Sequence, residues 1–478
     1  MQSRRDQAQA YRFVLHRVQA ALLQGEPDAP EPPLRRIGVA TFVSVMVAVL
    51  VVAGFGIVGL IRPGGKQGWR KPGVLVVEKE TGTRFVYDPA DGALHPVLNY
   101  TSARLILNTP DVSVRLFSRR SLADAPRGAA RGLPSLPDAL PAAGGLVRGP
   151  WTVCSQRSGG GPAAVTVSIG YPASGSRVDP GRGLLVRDSA NRQYLIWNDT
   201  KLEIRHPETV LAPLSFAAAT PVVVADTWAN AVPSGPDLAP PEVPGRGGPA
   251  PYRAAGAAVQ VGQVLKVAAE GGVRDQYWLA LTAGLTPVTD TAALLLLGVP
   301  DRPDPIEVQS ADVNAIPHVA NQISPAGFPD RVPALVEMPD GAALALCAAY
   351  TDTSGSSAAV AISTAAQPPG QRPAAGGAAG SVLLPPGAAA VVRLLPHPGQ
   401  DSDSIYLVTE TGAKYPVPSA EVLAVLGYGG STPVPVPGGL LDLVPTGPAL
   451  DPARANSTVP VGPAPTSQSG QSQQDGGA

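Results

Sequence analysis

Residues Glu80 to Leu107 read ETGTRFVYDPADGALHPVLNYTSARLIL, and 190 residues later Glu270 to Leu297 read EGGVRDQYWLALTAGLTPVTDTAALLLL. Glu80, Gly82, Arg84, Thr101, Ala103 and Leu105 recur in register as Glu270, Gly272, Arg274, Thr291, Ala293 and Leu295. Six identities held in step mark an internal duplication, and a repeat of this length sets the architecture before local propensity is consulted. Each copy reads as an apolar strand, a turn, a second strand around a Tyr, a Pro-marked turn, and a short helix entered at Thr or Ser.

The register extends outward. WTVCSQRSGGGPAAVTVSI, containing Cys154, corresponds to LALCAAYTDTSGSSAAVAIS, containing Cys347, at an offset of 193. Each is a strand-like run, a polar Gly/Ser hairpin and a second strand. PGRGLLVR from Pro180 then matches PGAAAVVR from Pro386, followed by Tyr194 and Tyr406. The longer spacing of the tyrosines is absorbed largely by the insertion-like QPPGQRPAAGGAAG before Ser381. Four small units emerge, with helices expected at Thr101 to Asn108, Thr209 to about Ala217, Thr291 to Gly298 and Ser419 to Gly427. A unit of about 40 residues buries too little core to stand alone, so each must lean on a neighbour or on the middle segments.

The sequence thus predicts an α+β protein with an elongated, pseudo-two-fold body of four β-rich repeats around a central domain. The expected spans are repeat 1 at 69–108, the first half of the central domain at 109–181, repeat 2 at 182–238 and a linker at 239–261. Repeat 3 follows at 262–298, the second half of the central domain at 299–389, repeat 4 at 390–454 and a disordered tail at 455–478. Gly 53 and Pro 54 among 478 residues favour short strands and turns over long helices in this body. A net charge of −1 gives no footing for nucleic acid. The two cysteines are an even number, as a disulfide in an oxidising compartment requires, and the pseudo-axis would bring them face to face. Two buried free thiols are the other reading.

Ahead of the body lies IGVATFVSVMVAVLVVAGFGIVGLI, residues 37–61, without one charge. At about 1.5 Å per residue it spans a hydrocarbon core of roughly 30 Å, so it reads as a single transmembrane helix. A signal peptide fits poorly, because 36 residues precede the run and no A-x-A-like site follows before Arg62. Positive charges flank it on both sides, Arg17, Arg35 and Arg36 before it and Arg62, Lys66, Arg70 and Lys71 after, so charge alone does not orient it. The cysteine pair places residues 1–36 in the cytoplasm and the body outside. Ala40, Ser44, Ala48 and Gly56, at multiples of four, form a small-residue stripe suited to close helix packing, or one an Ala- and Gly-rich chain gives by chance.

Residues 1–36 open with SRRDQAQAYRFVLHRVQAALLQG, an amphipathic helix with Ser3 and Asp6 at capping-box spacing and Gly25 as a stop. Tyr11, Val14, Leu15, Val18 and Leu22 share one stripe, while Arg4, Arg5, Arg12 and Arg17 lie mostly elsewhere. Such a helix lies on the anionic leaflet or packs on a partner protein. The opening RRDQAQAYRFVLHRVQAALL, the Pro-rich linker ending PLRR and the one apolar helix resemble the EccB family, the membrane component of actinobacterial type VII (ESX) secretion systems.

That resemblance implies a structural, membrane-anchored subunit supporting assembly and protein export. Its implied partners are the EccC ATPase, EccD, EccE and the mycosin protease, together with self-association and the lipid bilayer. It also implies a disulfide between Cys154 and Cys347 that clamps the central domain. Some family members carry the label of an ATP-hydrolysing enzyme, and the repeats resemble wall-binding units of phage lysins in kind. Those two alternatives stay open.

The sequence carries little that points to catalysis. There is no GxxxxGK[ST], GxSxG, HExxH or CxxC, and no metal or cofactor ligand set is assigned. His95, His206 and His397 each precede a proline and read as turn residues, and His318 sits in a Pro-flanked loop. Asp88, Asp91, Asp401 and Asp403 sit in turns for backbone reasons. Trp151, Trp197, Trp228 and Trp278 would stack on sugars if exposed, although burial is the commoner fate of such side chains.

Overall fold

Two helices begin the chain, α1 (Arg4–Gln24) and α2 (Pro33–Ile61). The computed structural model describes residues 4–25, 33–61, 67–157, 163–268, 274–320, 323, 326–336, 338, 344–352, 359–370, 381–396 and 402–459. The linker at 26–32, Ser3, most of the insertion before Ser381, His397, Asp401 and the tail beyond 459 lie outside the described residues. Within α2, Gly38–Ile57 has a mean hydropathy of 2.5 and is entirely unburied. A helix apolar all round and covered by no protein is matched to lipid rather than water.

Contacts divide the chain into two units, residues 1–96 with 113–128, and residues 97–112 with 129–478. The first carries, after α1 and α2, a sheet of β1 (Val74–Glu78), β2 (Arg84–Asp88), β3 (Ala93–Pro96) and β4 (Ser113–Phe117), in the order β3-β2-β1-β4. The first three form an antiparallel meander, and β4 runs parallel to β1. Val74, Val76, Phe85 and Leu94 project to one face and pack with Trp69, Phe117 and Leu122. Pro96 therefore lies on a strand rather than in a turn. It is tolerated because β3 is an edge, where a missing N–H breaks no inner ladder. His95, read as a turn residue, is a buried member of the same strand.

The second unit opens with α3 (Tyr100–Leu107), which the sequence grouped with the strands of 69–108. Leu105 packs instead with Leu423, Leu426 and Tyr428, and the Arg104 guanidinium donates to the Val425 carbonyl. Next come β5 (Trp151–Gln156), β6 (Ala164–Ile169) and β7 (Ser176–Arg177). A second small sheet holds β8 (Leu184–Arg187), β9 (Gln193–Trp197), β10 (Thr200–Glu203) and β11 (Val222–Val223), with α4 (Pro207–Val210) before β11 and α5 (Asp226–Ala231) after it. The 239–261 stretch, read as a linker, contains a hairpin of β12 (Pro249–Ala254) and β13 (Ala257–Gln260). Its turn is Ala255-Gly256, both at positive φ, a type of reversal that the Gly content obscured.

A third small sheet holds β14 (Val264–Val267), β15 (Gln276–Leu281), β16 (Gly284–Val288) and β17 (Ile306–Val308), with α6 (Asp290–Leu297) before β17 and α7 (Ser310–Asn314) after it. Then come β18 (Ala345–Asp352), β19 (Ala359–Ala365) and β20 (Ser381–Leu383). The fourth small sheet holds β21 (Ala389–Leu395), β22 (Ile405–Thr409), β23 (Lys414–Val417) and β24 (Val434–Pro437). It is accompanied by α8 (Ala420–Val425), α9 (Gly438–Leu441) and, near the end, α10 (Pro452–Ala455). All four small sheets share one wiring, a meander whose first strand takes a parallel fourth strand. β4 and β17 fall beyond the 69–108 and 262–298 boundaries, because a strand of three to five residues paired across a helix leaves little periodicity to read.

The helix starts differ from expectation by one or two residues. Asn99, Thr289 and Ser419 are the N-caps of α3, α6 and α8, their side chains accepting from the Ser102, Ala292 and Val422 N–H groups. Thr101 and Thr291 lie inside their helices and are fully buried. Thr209 is inside α4, a single turn ending at Val210 rather than a helix to 217. The six-identity register also shifts locally. Val267 stands 190 residues after Val77, yet Gln276, which pairs with it, stands 192 after Arg84, the partner of Val77.

The fold is thus mixed α+β, with one apolar N-terminal helix, several small sheets and one disulfide. Its largest core joins the middle strands to the second and fourth small sheets and buries Trp151 and Trp228. Trp197 and Trp278 are half-buried, Trp278 stacking against His318 with centroids 4.6 Å apart.

Candidate functional site

The middle of the second unit is one six-stranded sheet in the order β20-β6-β5-β18-β19-β7. β5 and β18, nearly two hundred residues apart in the chain, are adjacent and antiparallel, pairing Trp151 with Tyr350, Val153 with Ala348, and Cys154 with Cys347. Strand alternation sends Trp151, Val153, Leu346, Ala348 and Tyr350 into the large core. Cys154 and Cys347 point to the other face and are disulfide-bonded, both buried. Thr152, Thr166, Ser168 and Ser363 share their face, so the bridge lies on a hydroxyl-rich floor. The segment after β19 covers part of it. Ser168 donates to the Pro369 carbonyl at 2.6 Å and Gln156 to that of Ala366 at 3.2 Å.

Two lysines tie helix ends to the small sheets beside this sheet. Lys201 on β10 donates to the Ala229 carbonyl in the last turn of α5 at 2.5 Å, its ammonium 5.6 Å from the centre of the Tyr194 ring. Lys414 on β23 donates to the Leu441 carbonyl at the end of α9 at 2.5 Å, 5.8 Å from the Tyr406 ring. A cation at a helix C-terminus meets unpaired carbonyls and the negative dipole end. Burial holds both ammonium groups below the ordinary lysine value, opposed at Lys201 by Glu203 and at Lys414 by Asp442, 3.7 Å away. Sequence reading passed over these residues. The available signal was a lysine on a third strand among apolar neighbours, TKLEI and AKYPV.

Near Lys201, the fully buried Asp188 carboxylate accepts from Arg192 at 2.7 Å and from the Tyr194 hydroxyl at 3.2 Å. Burial first, then the Asp188 charge, pushes the Tyr194 hydroxyl up to about 12. This is a satisfied buried network rather than a poised acid or base.

The N-terminal residues singled out from sequence lie along the two helices. On α1, Tyr11, Val14, Leu15, Val18 and Leu22 are all exposed, as are Arg4, Arg5 and Arg12, and Phe13, outside the expected stripe, is also exposed beneath Arg17. On α2, Ala40, Ser44, Ala48 and Gly56 are exposed, with the Ser44 hydroxyl returned to the Ala40 carbonyl at 2.8 Å. The bulky Val52 interrupts the stripe at its fourth position.

One cluster among the described residues has metal-ligand composition, Asp88, Asp91 and His95, with ligand atoms within 4.8 Å of one another. Asp88 and Asp91 each also accept a turn N–H, from Ala90 and Ala93, and Asp91 lies 2.8 Å from the His95 ring nitrogen. Gly128 rests on that ring so closely that a Cβ there would meet it at 2.1 Å. The cluster is accounted for by turn chemistry and packing. A cavity of about 670 Å³ is bordered by Leu184, Phe216, Val332 and Met338, with Ser215 and Thr220 as its polar side chains and no charged one among the described residues of its wall.

Residues 1–461 match the family described as type VII secretion system ESX-1, transport TM domain B. The chain is 29% identical to the ESX-3 secretion system ATPase EccB3 of Mycolicibacterium smegmatis, across 93% of this chain and 89% of that one. It is 26% identical to the ESX-1 secretion system ATPase EccB1 of Mycobacterium tuberculosis, across 96% of each. Among solved structures it is similar to a chain of an intact ESX-5 inner membrane complex, with a TM-score of 0.67 at 25% identity over 97% of both chains. It is also similar to the EccB3 dimer from the ESX-3 core complex, with a TM-score of 0.63 at 25% identity over 80% of this chain and 99% of that one.

Proposed function

We infer the function from one premise: this chain belongs to the EccB family of type VII secretion systems. It is a membrane-anchored subunit of the secretion complex, and its work is structural. The carrying observation is the likeness along nearly the whole chain to a subunit of an intact ESX inner membrane complex, together with one lipid-matched helix and a body tied through its middle sheet.

At finer detail, residues 1–36 face the cytoplasm and the body lies on the far side of the membrane, where the bridge between Cys154 and Cys347 persists. The body is a duplicated chain with pseudo-two-fold symmetry. The shared wiring of the small sheets, the cross-chain β5–β18 pair and the matching Lys201 and Lys414 ties support this reading. α1 is the cytoplasmic contact helix, presenting Tyr11, Val14, Leu15, Val18 and Leu22 to EccC, EccD or EccE. The body meets the mycosin protease and other copies of itself.

A nucleotide-hydrolysing role is favoured by the relatives' names alone, and phosphate transfer needs a cradle of N–H groups, a cation and usually a metal. Affinity purification of the tagged full chain from detergent-solubilised membranes separates the readings. The structural role predicts co-elution with other secretion components and no ATP turnover by the isolated body. Metal-dependent turnover abolished by one point change would establish the enzyme instead.

A further inference from the structure

The fourth strands of the small sheets are covered in three cases. Val222 of β11, Ile306 and Val308 of β17, and Val434 and Val436 of β24 pack into cores. β4 is the exception, with Ser113, Val114, Arg115 and Leu116 all exposed, Val114 at 51% and Leu116 at 62%. It ends its sheet, and among the described residues no strand pairs with its outer edge, while Val114 and Leu116 project together from one face of it, a combination that soluble surfaces avoid.

Basic groups outnumber acidic ones around this edge, where Asp111 precedes the strand and Glu78 and Glu80 lie beside its end. Arg115 lies on the strand, Arg119 and Arg120 follow it, and Arg70 and Lys71 precede β1. Arg119 is held by Glu78 at 2.9 Å, whereas Arg70, Lys71, Arg115 and Arg120 have no carboxylate partner among the described residues. The chain also enters the sheet from the anchor at this point. The turn Gln67–Arg70 lies beside the end of β4, a Cβ at Gly68 falling 3.8 Å from the Phe117 ring. Only residues 62–66 separate α2 from that turn, a covalent reach of at most roughly 20 Å.

We propose that the β4 edge docks on the anionic headgroup surface of the membrane that α2 spans. Val114 and Leu116 enter the interface, and Arg70, Lys71, Arg115 and Arg120 meet lipid phosphates. Pairing with a second copy is disfavoured, because antiparallel pairing about Arg115 sets that arginine against itself. The proposal rests on α2 being the anchor.

The test uses the full chain in nanodiscs, with an environment-sensitive fluorophore attached at position 116 through a ketone amino acid that leaves the cysteine pair untouched. In discs containing phosphatidylglycerol the emission rises and is quenched by nitroxide lipids, and in phosphatidylcholine discs it is weaker. The Arg115→Glu/Arg120→Glu variant loses docking by about fivefold or more per charge. Emission independent of lipid charge overturns the proposal. So does a rise that depends on protein concentration in micelles, which indicates a second copy, or one that appears only with other secretion components, which indicates a protein partner. The anchor is read separately, and release of the chain by alkaline carbonate overturns both.

Discussion

The cysteine bridge closes a loop of 193 residues, so in the chain-entropy model it is worth on the order of 5 kcal/mol against the unfolded body. Chemical denaturation of a Cys154→Ser/Cys347→Ser variant should show a loss of that order, with the β5–β18 sheet still formed at low denaturant. Lys201 and Lys414 give a pH signature. Their lowered values mean the folded body binds fewer protons than the unfolded chain as pH nears the ordinary lysine value of 10.5, so stability rises across that alkaline window. Lys201→Met/Lys414→Met should flatten this rise in pH-dependent melts and lower neutral-pH stability by about 1–3 kcal/mol at the Ala229 carbonyl, and by less at Leu441, whose carbonyl keeps the Val444 N–H. At this scale the cysteine register was legible in the chain. The lysine ties were not, because an isolated lysine in an apolar strand is indistinguishable from a solvated one until the helix end it meets has folded.

Among elements, the small sheets were half visible. First strands such as VLVVE and helices such as DTAALLLL announce themselves by apolar runs. Fourth strands do not, since their pairing is set by a crossover and not by their own sequence. The caps were misplaced for a related reason: Thr101 and Thr291 are apparent starts, but Asn99 and Thr289 sit where backbone N–H groups open. Asn99→Ala, Thr289→Ala and Ser419→Ala should therefore each cost about 0.5–2 kcal/mol in thermal or chemical melts. Thr209→Ala, inside the single turn of α4, should cost less than any of them.

At the level of the whole molecule, the apolar helix and the amphipathic segment before it were plain in the sequence, because a lipid-length charge-free run has few other uses. The second unit's division was less so. Residues 97–112 join it by packing α3 on α8 and α10, a choice made by Leu105 and Arg104 rather than by chain continuity. The central claim is that α1 holds a folded, bridged body in the secretion complex. Blue-native electrophoresis of membranes carrying a chain that lacks residues 4–25 tests it most directly. The account predicts that the truncated chain stays anchored and disulfide-bonded but runs free of the complex, while the full chain runs with it. Co-migration of the truncated chain with the assembled complex would contradict it.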